Sequence, residues 1–189
     1  MKVTARQLIP SLALLAAAGA SLMAGPGIDG LMGALLAALM LAIAASDFRR
    51  YIIPDELTAA AALLALVRSG WVGPDAGRDA VLWAAGTSLA IAVALLALMA
   101  AYRGWRGRDG MGLGDVKLAA IAGAWLGFTT FLVVIEIAAL IALGTYLLTG
   151  AIGRRPLKAT AFLPFGVFLA PAIWLGWLMD ALIDRHPPF

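Results

Sequence analysis

Residues 116–150 form a single apolar run of 35 positions, interrupted in charge only by Lys117 and Glu136. About 20 apolar residues already cross a hydrocarbon layer, so this run is too long for one span and must fold back on itself. The segment "GFTT" at 127–130 is the natural break. The helix before it, starting after Gly114, is then only about 13 residues long, roughly 20 Å at 1.5 Å per residue. Further apolar runs at 8–24, 28–46, 57–72, 79–102 and 159–182 bring the total to seven helices. Glycine and proline mark the connections, as in "GPG" at 25–27 and "GWVGPDAG" at 70–77. Pro164 and Pro171 are expected inside the last helix, kinking it, which membranes tolerate.

Composition agrees with this reading. The chain of 189 residues is 63% hydrophobic and 13% charged, where soluble domains carry about a quarter charged residues. The expected fold is all-α: a polytopic membrane bundle of about seven transmembrane helices, a six-helix core plus an N-terminal helix. Lipid is therefore the immediate partner. The net charge is +3, and the basic residues punctuate hydrophobic runs instead of forming a nucleic-acid-binding patch. With no cysteine, disulfides and cysteine-ligated metal are excluded. The single histidine, His186, lies in the terminal "DRHPPF" and reads as a solvated tail residue. No metal and no cofactor is expected.

Charge asymmetry orients the bundle. With a cytoplasmic N-terminus, Lys2, Arg6, Arg49, Arg50, Arg103, Arg106, Arg108, Lys117, Arg154, Arg155 and Lys158 all lie inside. Only Arg68, Arg78 and Arg185 lie outside, as the positive-inside rule requires. Trp71, Trp83 and Trp125 then fall at the outer boundary, where an aromatic belt belongs. Residues 1–27 form a separate hydrophobic unit whose basic start and small-residue "AGA" ending are signal-like. A retained helix is the preferred reading, and residues 28–189 form the core.

This orientation returns two acidic segments to one membrane face: "SDFRRYIIPDELT" at 46–58 and "GMGLGDVKLAA" at 110–120. Asp47 and Asp115 brought together in a partly dehydrated site cannot easily both ionise, so they share a proton. That is the machinery of an aspartic protease, in which one carboxylate activates water and the other protonates the scissile carbonyl. Asp115, at a helix N-cap beside Lys117, is expected to be the ionised base. Asp47, at a helix end, is expected to hold the proton. Gly110, Gly112 and Gly114 allow positive φ and close backbone approach for an extended substrate. A dinucleotide site is excluded, since it needs a βαβ unit around the glycines.

These segments carry a resemblance to the type IV prepilin peptidases, which are GxGD intramembrane aspartic proteases. "GLGDVKL" (112–118) resembles the family's G-x-G-D-x-K-L, and "DFRRYIIPDELT" (47–58) its first aspartate motif. "LPFGVFLAPA" (163–172) resembles the PFG segment of the last helix, although Val167 stands where many relatives have proline. The resemblance implies that Asp47 and Asp115 are catalytic, with Gly112, Gly114, Lys117, Pro54, Asp55 and Thr58 as supporting motif residues. It also implies a prepilin or pseudopilin substrate whose basic leader is removed on the cytoplasmic side of a bacterial inner membrane. Larger members carry a cysteine-bearing cytoplasmic insertion and methylate the new N-terminus. Lacking both insertion and cysteine, this chain resembles the compact form that serves Flp-type pili and is expected not to methylate. Presenilins and signal peptide peptidases usually have tyrosine before the first aspartate, where this chain has Ser46.

Several residues have simpler readings. Arg49 and Arg50 are expected as topology anchors. Asp55 is expected to cap the helix after Pro54, and Thr58 to back-bond within that helix. Lys117 fits an anchor and an electrostatic tuner equally. Glu136 is expected to be a protonated, internally bonded structural residue. The competing functions are a small transporter in which Asp47, Asp115 and Glu136 bind a proton or cation, and a non-catalytic assembly subunit.

Overall fold

The computed structural model describes residues 5–25, 27–108, 110–153 and 163–185, with backbone alone for 5–9 and 185. Lys2, Arg154, Arg155, Lys158 and His186 lie outside the described residues. Seven helices follow one another: α1 (Ala5–Ala24), α2 (Ile28–Arg50), α3 (Asp55–Trp71), α4 (Arg78–Arg106), α5 (Leu113–Trp125), α6 (Phe128–Ile152) and α7 (Gly166–Arg185). Among the described residues, α2, α4, α6 and α7 are long and apolar enough to cross a membrane, and α1 contributes a shorter apolar stretch. This is a multi-pass membrane protein.

Two boundaries differ from the sequence expectation, each with consequences for the site. First, α2 runs four residues beyond 46 and closes on Tyr51 in the left-handed region, at φ 55°. Asp47 therefore lies within the helix, not beyond it. Second, α7 begins at Gly166, so Pro164 precedes the helix and only Pro171 lies inside it. A residue before the helix can end its chain direction without costing a helical hydrogen bond. The long apolar run breaks where expected, at Gly127, the first residue of "GFTT", leaving α5 at 13 residues.

The core follows from helical periodicity. On α2 the buried positions Met32, Leu36, Met40, Ile43 and Asp47 recur at three- and four-residue steps and form one stripe. That stripe packs chiefly on α7 and α1, with α3 alongside. Gly33 admits the indole of Trp177, which a Cβ would overlap. Beyond Lys117, α5 is apolar all round and packs between α3, α4 and α7. By contrast, α4 buries only Ala84 among its 29 residues, and α6 packs one face on α7. Such broad apolar exposure suits lipid contact. α1 and α2 form a tight hairpin, since a Cβ on Gly30 would stand 2.6 Å from the Gly25 carbonyl oxygen. Ser21, fully buried on α1, accepts the indole N–H of Trp174 on α7 at 3.0 Å.

The end of the bundle opposite Asp47 is tied by polar contacts. Arg68 Nε donates to Asp29 Oδ1 at 2.6 Å, and its guanidinium lies 5.6 Å from the centre of the Trp125 ring. Trp125, expected in an outer aromatic belt, is at the right end of its helix but turned inward. It is 4% exposed and donates its indole N–H to the Ala61 carbonyl at 3.1 Å. Trp71 and Trp83 do project outward. Replacing Arg68 by alanine leaves the buried Asp29 carboxylate without this partner. A loss of about 1–3 kcal/mol is expected, read as a lower unfolding temperature of the purified protein in detergent. An unchanged transition would show that this pair contributes nothing.

Candidate active site

Asp47 is the last rung of the buried stripe on α2, and only 5% of it is exposed. The stripe that builds the core thus delivers a carboxylate to one end of it. There the first turn of α7 meets it: the Val167 N–H donates to Asp47 Oδ2 at 3.1 Å. The Gly166 amide faces the same group. Gly166 makes this approach possible, because a Cβ at that position would stand 2.8 Å from Asp47 Oδ2.

Asp115 comes to the same place on α5. It is the third residue of that helix and not its N-cap, which is Gly112 in an extended conformation. The Gly112 carbonyl accepts the N–H groups of Asp115 at 3.1 Å and Val116 at 3.4 Å. Asp115 lies outside the four long apolar helices, at the start of the short one. Burial, and after it the negative charge of Asp47, push the Asp115 carboxyl up to about 6. Sixty-eight positions apart in sequence, the two carboxylates are electrostatic neighbours in the fold.

The contacts bear on the polarity expected of the pair. The end of its own helix argues for a proton on Asp47, but the amides opening α7 favour negative charge there. Burial and its neighbour's charge act together on the Asp115 carboxyl. The sequence offers no direct sign of this, since the donors come from residue 167, far along the chain.

The supporting residues divide in the same way. Pro54 is the N-cap of α3. Asp55 does not cap that helix; it is its first residue and pairs with Lys117 Nζ at 2.5 Å, joining α3 to α5. Thr58 is buried and back-bonds to the Asp55 carbonyl at 2.9 Å, as expected. None of Gly110, Gly112 and Gly114 has a positive φ. Close approach accounts for two of them: a Cβ on Gly110 would press on the Tyr102 ring, and one on Gly114 on the Ile53 side chain. Glu136 is not internally bonded but exposed, on the side of α6 opposite its buried Phe131, Val134, Ala138 and Ala142. Gly166 and Ile53 are site residues that motif reading did not single out, although the quoted segments contain both, and Val167 was noted there only as a departure from proline. Among the described residues no three His, Cys, Asp or Glu side chains gather as metal ligands would.

Known proteins are similar to this chain in sequence. A prepilin leader peptidase/N-methyltransferase of Aeromonas hydrophila is 34% identical over 176 residues, covering 92% of this chain and 57% of its own length. The protein of that name from Burkholderia pseudomallei strain K96243 is 34% identical over 154 residues, 82% of this chain and 48% of its own. That of Escherichia coli strain K12 is 33% identical over 140 residues, 74% of this chain and 60% of its own. The chain thus spans about half the length of the curated relatives it matches. No solved structure matches it. The sequence pattern of the type IV leader peptidases covers residues 34–147, from the buried stripe of α2 through both aspartates and most of α6. By that match, over more than half of its length, this chain belongs to the type IV leader peptidase family.

Proposed function

We propose that this chain is a membrane-embedded aspartic endopeptidase that removes the basic leader from type IV prepilins, with Asp47 and Asp115 as its catalytic pair. The observation that carries the reading is the convergence of two distant carboxylates at one end of the bundle, close enough for one charge to act on the other. Asp47, facing the α7 amides, serves as the base and Asp115 as the acid. Asp47 takes a proton from water as the water oxygen bonds to the scissile carbonyl carbon. Asp115 gives its proton to the carbonyl oxygen, completing a tetrahedral diol. Collapse breaks the C–N bond, the leaving amine takes the proton from Asp47, and Asp115 recovers its own from the diol.

Several finer features belong to the same proposal. The active end faces the cytoplasm of a bacterial inner membrane: Arg49, Arg50, Arg103, Arg106 and Lys117 belong to helices ending or beginning at that end, and Arg108 to the α4–α5 loop there. Flp-type prepilins are the substrate, and N-methylation is not catalysed. The lack of any cysteine supports this, since a cysteine-bearing insertion accompanies methylation in larger relatives. Residues 1–27 stay attached, in keeping with the close α1–α2 packing and the Ser21–Trp174 bond. A carboxylate transporter has less support, because Glu136 faces away from the helices that carry the pair.

The test is co-expression of the full chain with an Flp-type prepilin and with a longer type IV prepilin, followed by intact-mass measurement. The expected products are an Flp-type pilin cut at its leader with an unmodified new amine, and an enzyme that retains residues 1–27. Leaders intact on both prepilins would overturn the peptidase reading. Cleavage followed by methylation would overturn only the statement about methyl transfer.

A further inference from the structure

Between α2 and α3 runs a short strap, residues 51–54, that the proposed chemistry leaves unused. It is held at both ends. Tyr51 closes α2 in the left-handed conformation, its N–H bonded to the Asp47 carbonyl at 2.9 Å. The hydroxyl of Ser46, the residue before Asp47, donates to the Ile52 carbonyl at 2.8 Å. Beyond the strap, Asp55 is paired with Lys117, two residues after Asp115. The strap is therefore fastened to the neighbours of both aspartates.

Its centre is Ile53, a partly buried side chain packed against the core. A Cβ on Gly114 would stand 3.1 Å from Ile53 Cβ and 3.1 Å from its Cδ1. A Cβ on Gly166 would stand 3.0 Å from the same Cδ1. One methyl group thus lies against two backbone turns. Gly114 immediately precedes Asp115, and Gly166 opens the helix whose amide holds Asp47. We propose that Ile53 is a positioning residue: wedged between Gly114 and Gly166, its side chain sets the spacing of the two carboxylates. A β-branched side chain suits the task, since it is stiff at χ1 and acts as a spacer of fixed length. The two glycines are the complement of the wedge, each lacking the carbon that would collide with it.

This inference rests on the peptidase reading for its kinetic consequences but not for its geometry, so two measurements separate them. The first uses prepilin cleavage by the full chain. Ile53→Ala is expected to lower kcat about 10²-fold, as for a displacement of about 1 Å, with KM changed by less than about twofold. Ile53→Val, which keeps the β-branch and loses Cδ1, should fall between it and the parent. Gly114→Ala should be impaired alone because its methyl meets Ile53. Combining it with Ile53→Val removes the Cδ1 contact and leaves that to Cβ, so the double variant should recover part of the Gly114→Ala loss. A kcat for Ile53→Ala within about threefold of the parent, or losses in the two singles that simply multiply, would overturn the proposal.

The second measurement needs no activity. The chain has no cysteine, so Asp47→Cys with Asp115→Cys gives one thiol pair in an otherwise unreactive background. Cross-linking by a short bismaleimide is expected to be fast with Ile53 present and at least about tenfold slower with Ile53→Ala, given how steeply ring closure depends on geometry. Equal rates, or no cross-link even with Ile53 present, would overturn the wedge. Should the parent chain cleave no prepilin, the peptidase reading fails while the cross-linking rates still decide this one.

Discussion

Asp47→Asn and Asp115→Asn should each reduce prepilin cleavage by at least about 10³-fold, with the protein still folded. The size follows from the division of labour: base and acid catalysis each contribute about 10²–10⁴-fold, and a pair sharing one proton loses both functions when either member is gone. The amide is nearly the shape of the acid, so packing around the buried position 47 is preserved. Its oxygen can still accept the Val167 N–H that Asp47 accepts now. The double variant should be no worse than either single, because residues acting as a unit are not additive. Leader removal by each variant, followed by gel shift and mass, is the measurement, with unfolding temperature as the control. Cleavage by either single within about tenfold of the parent would remove that residue from the pair.

Gly166→Ala carries the second largest expected effect, and its cause is steric. The added carbon would stand 2.8 Å from Asp47 Oδ2, 3.1 Å from its Cγ and 3.0 Å from Ile53 Cδ1. Real Cβ contacts do not occur at the first distance, so the carboxylate or the wedge must move. A shift of about 1 Å at a reacting group costs about 10²-fold in rate, and that is the drop expected in kcat. Stability should change little, because replacing glycine by alanine in a helix gains up to about 1 kcal/mol, which offsets local crowding. Gly144→Ala is the matched control: nothing lies within 4 Å of a Cβ there, so activity should be unchanged. Equal activity of the two variants would show that Gly166 does not hold Asp47 in place.

Both effects turn on contacts that motif reading could only half anticipate. The seven helices, the break at Gly127 and the return of both acidic segments to one end were legible because they follow from run length and apolar periodicity, which are local. The meeting of Asp47 with Asp115 was legible for another reason: an ionisable group at the edge of an apolar run is costly without a use. What failed was whatever depended on a partner from elsewhere in the chain. Asp55 was expected to cap its own helix and instead meets Lys117, from 62 positions away. Trp125 was expected in an aromatic belt at the outer boundary and instead turns inward, donating to the Ala61 carbonyl. Glu136 was expected to face inward, yet α6 turns its small and apolar residues to α7 and leaves the acid outside.

By itself, then, the order of residues determined a membrane helical bundle and named the two carboxylates. Helix formation and insertion depend on each segment's own composition, and that is readable in line. Only the tertiary structure decided which aspartate faces the amides of α7 and that Ile53 stands between Gly114 and Gly166. Those outcomes depend on distances between segments far apart in the chain, and such distances exist only after the helices have packed.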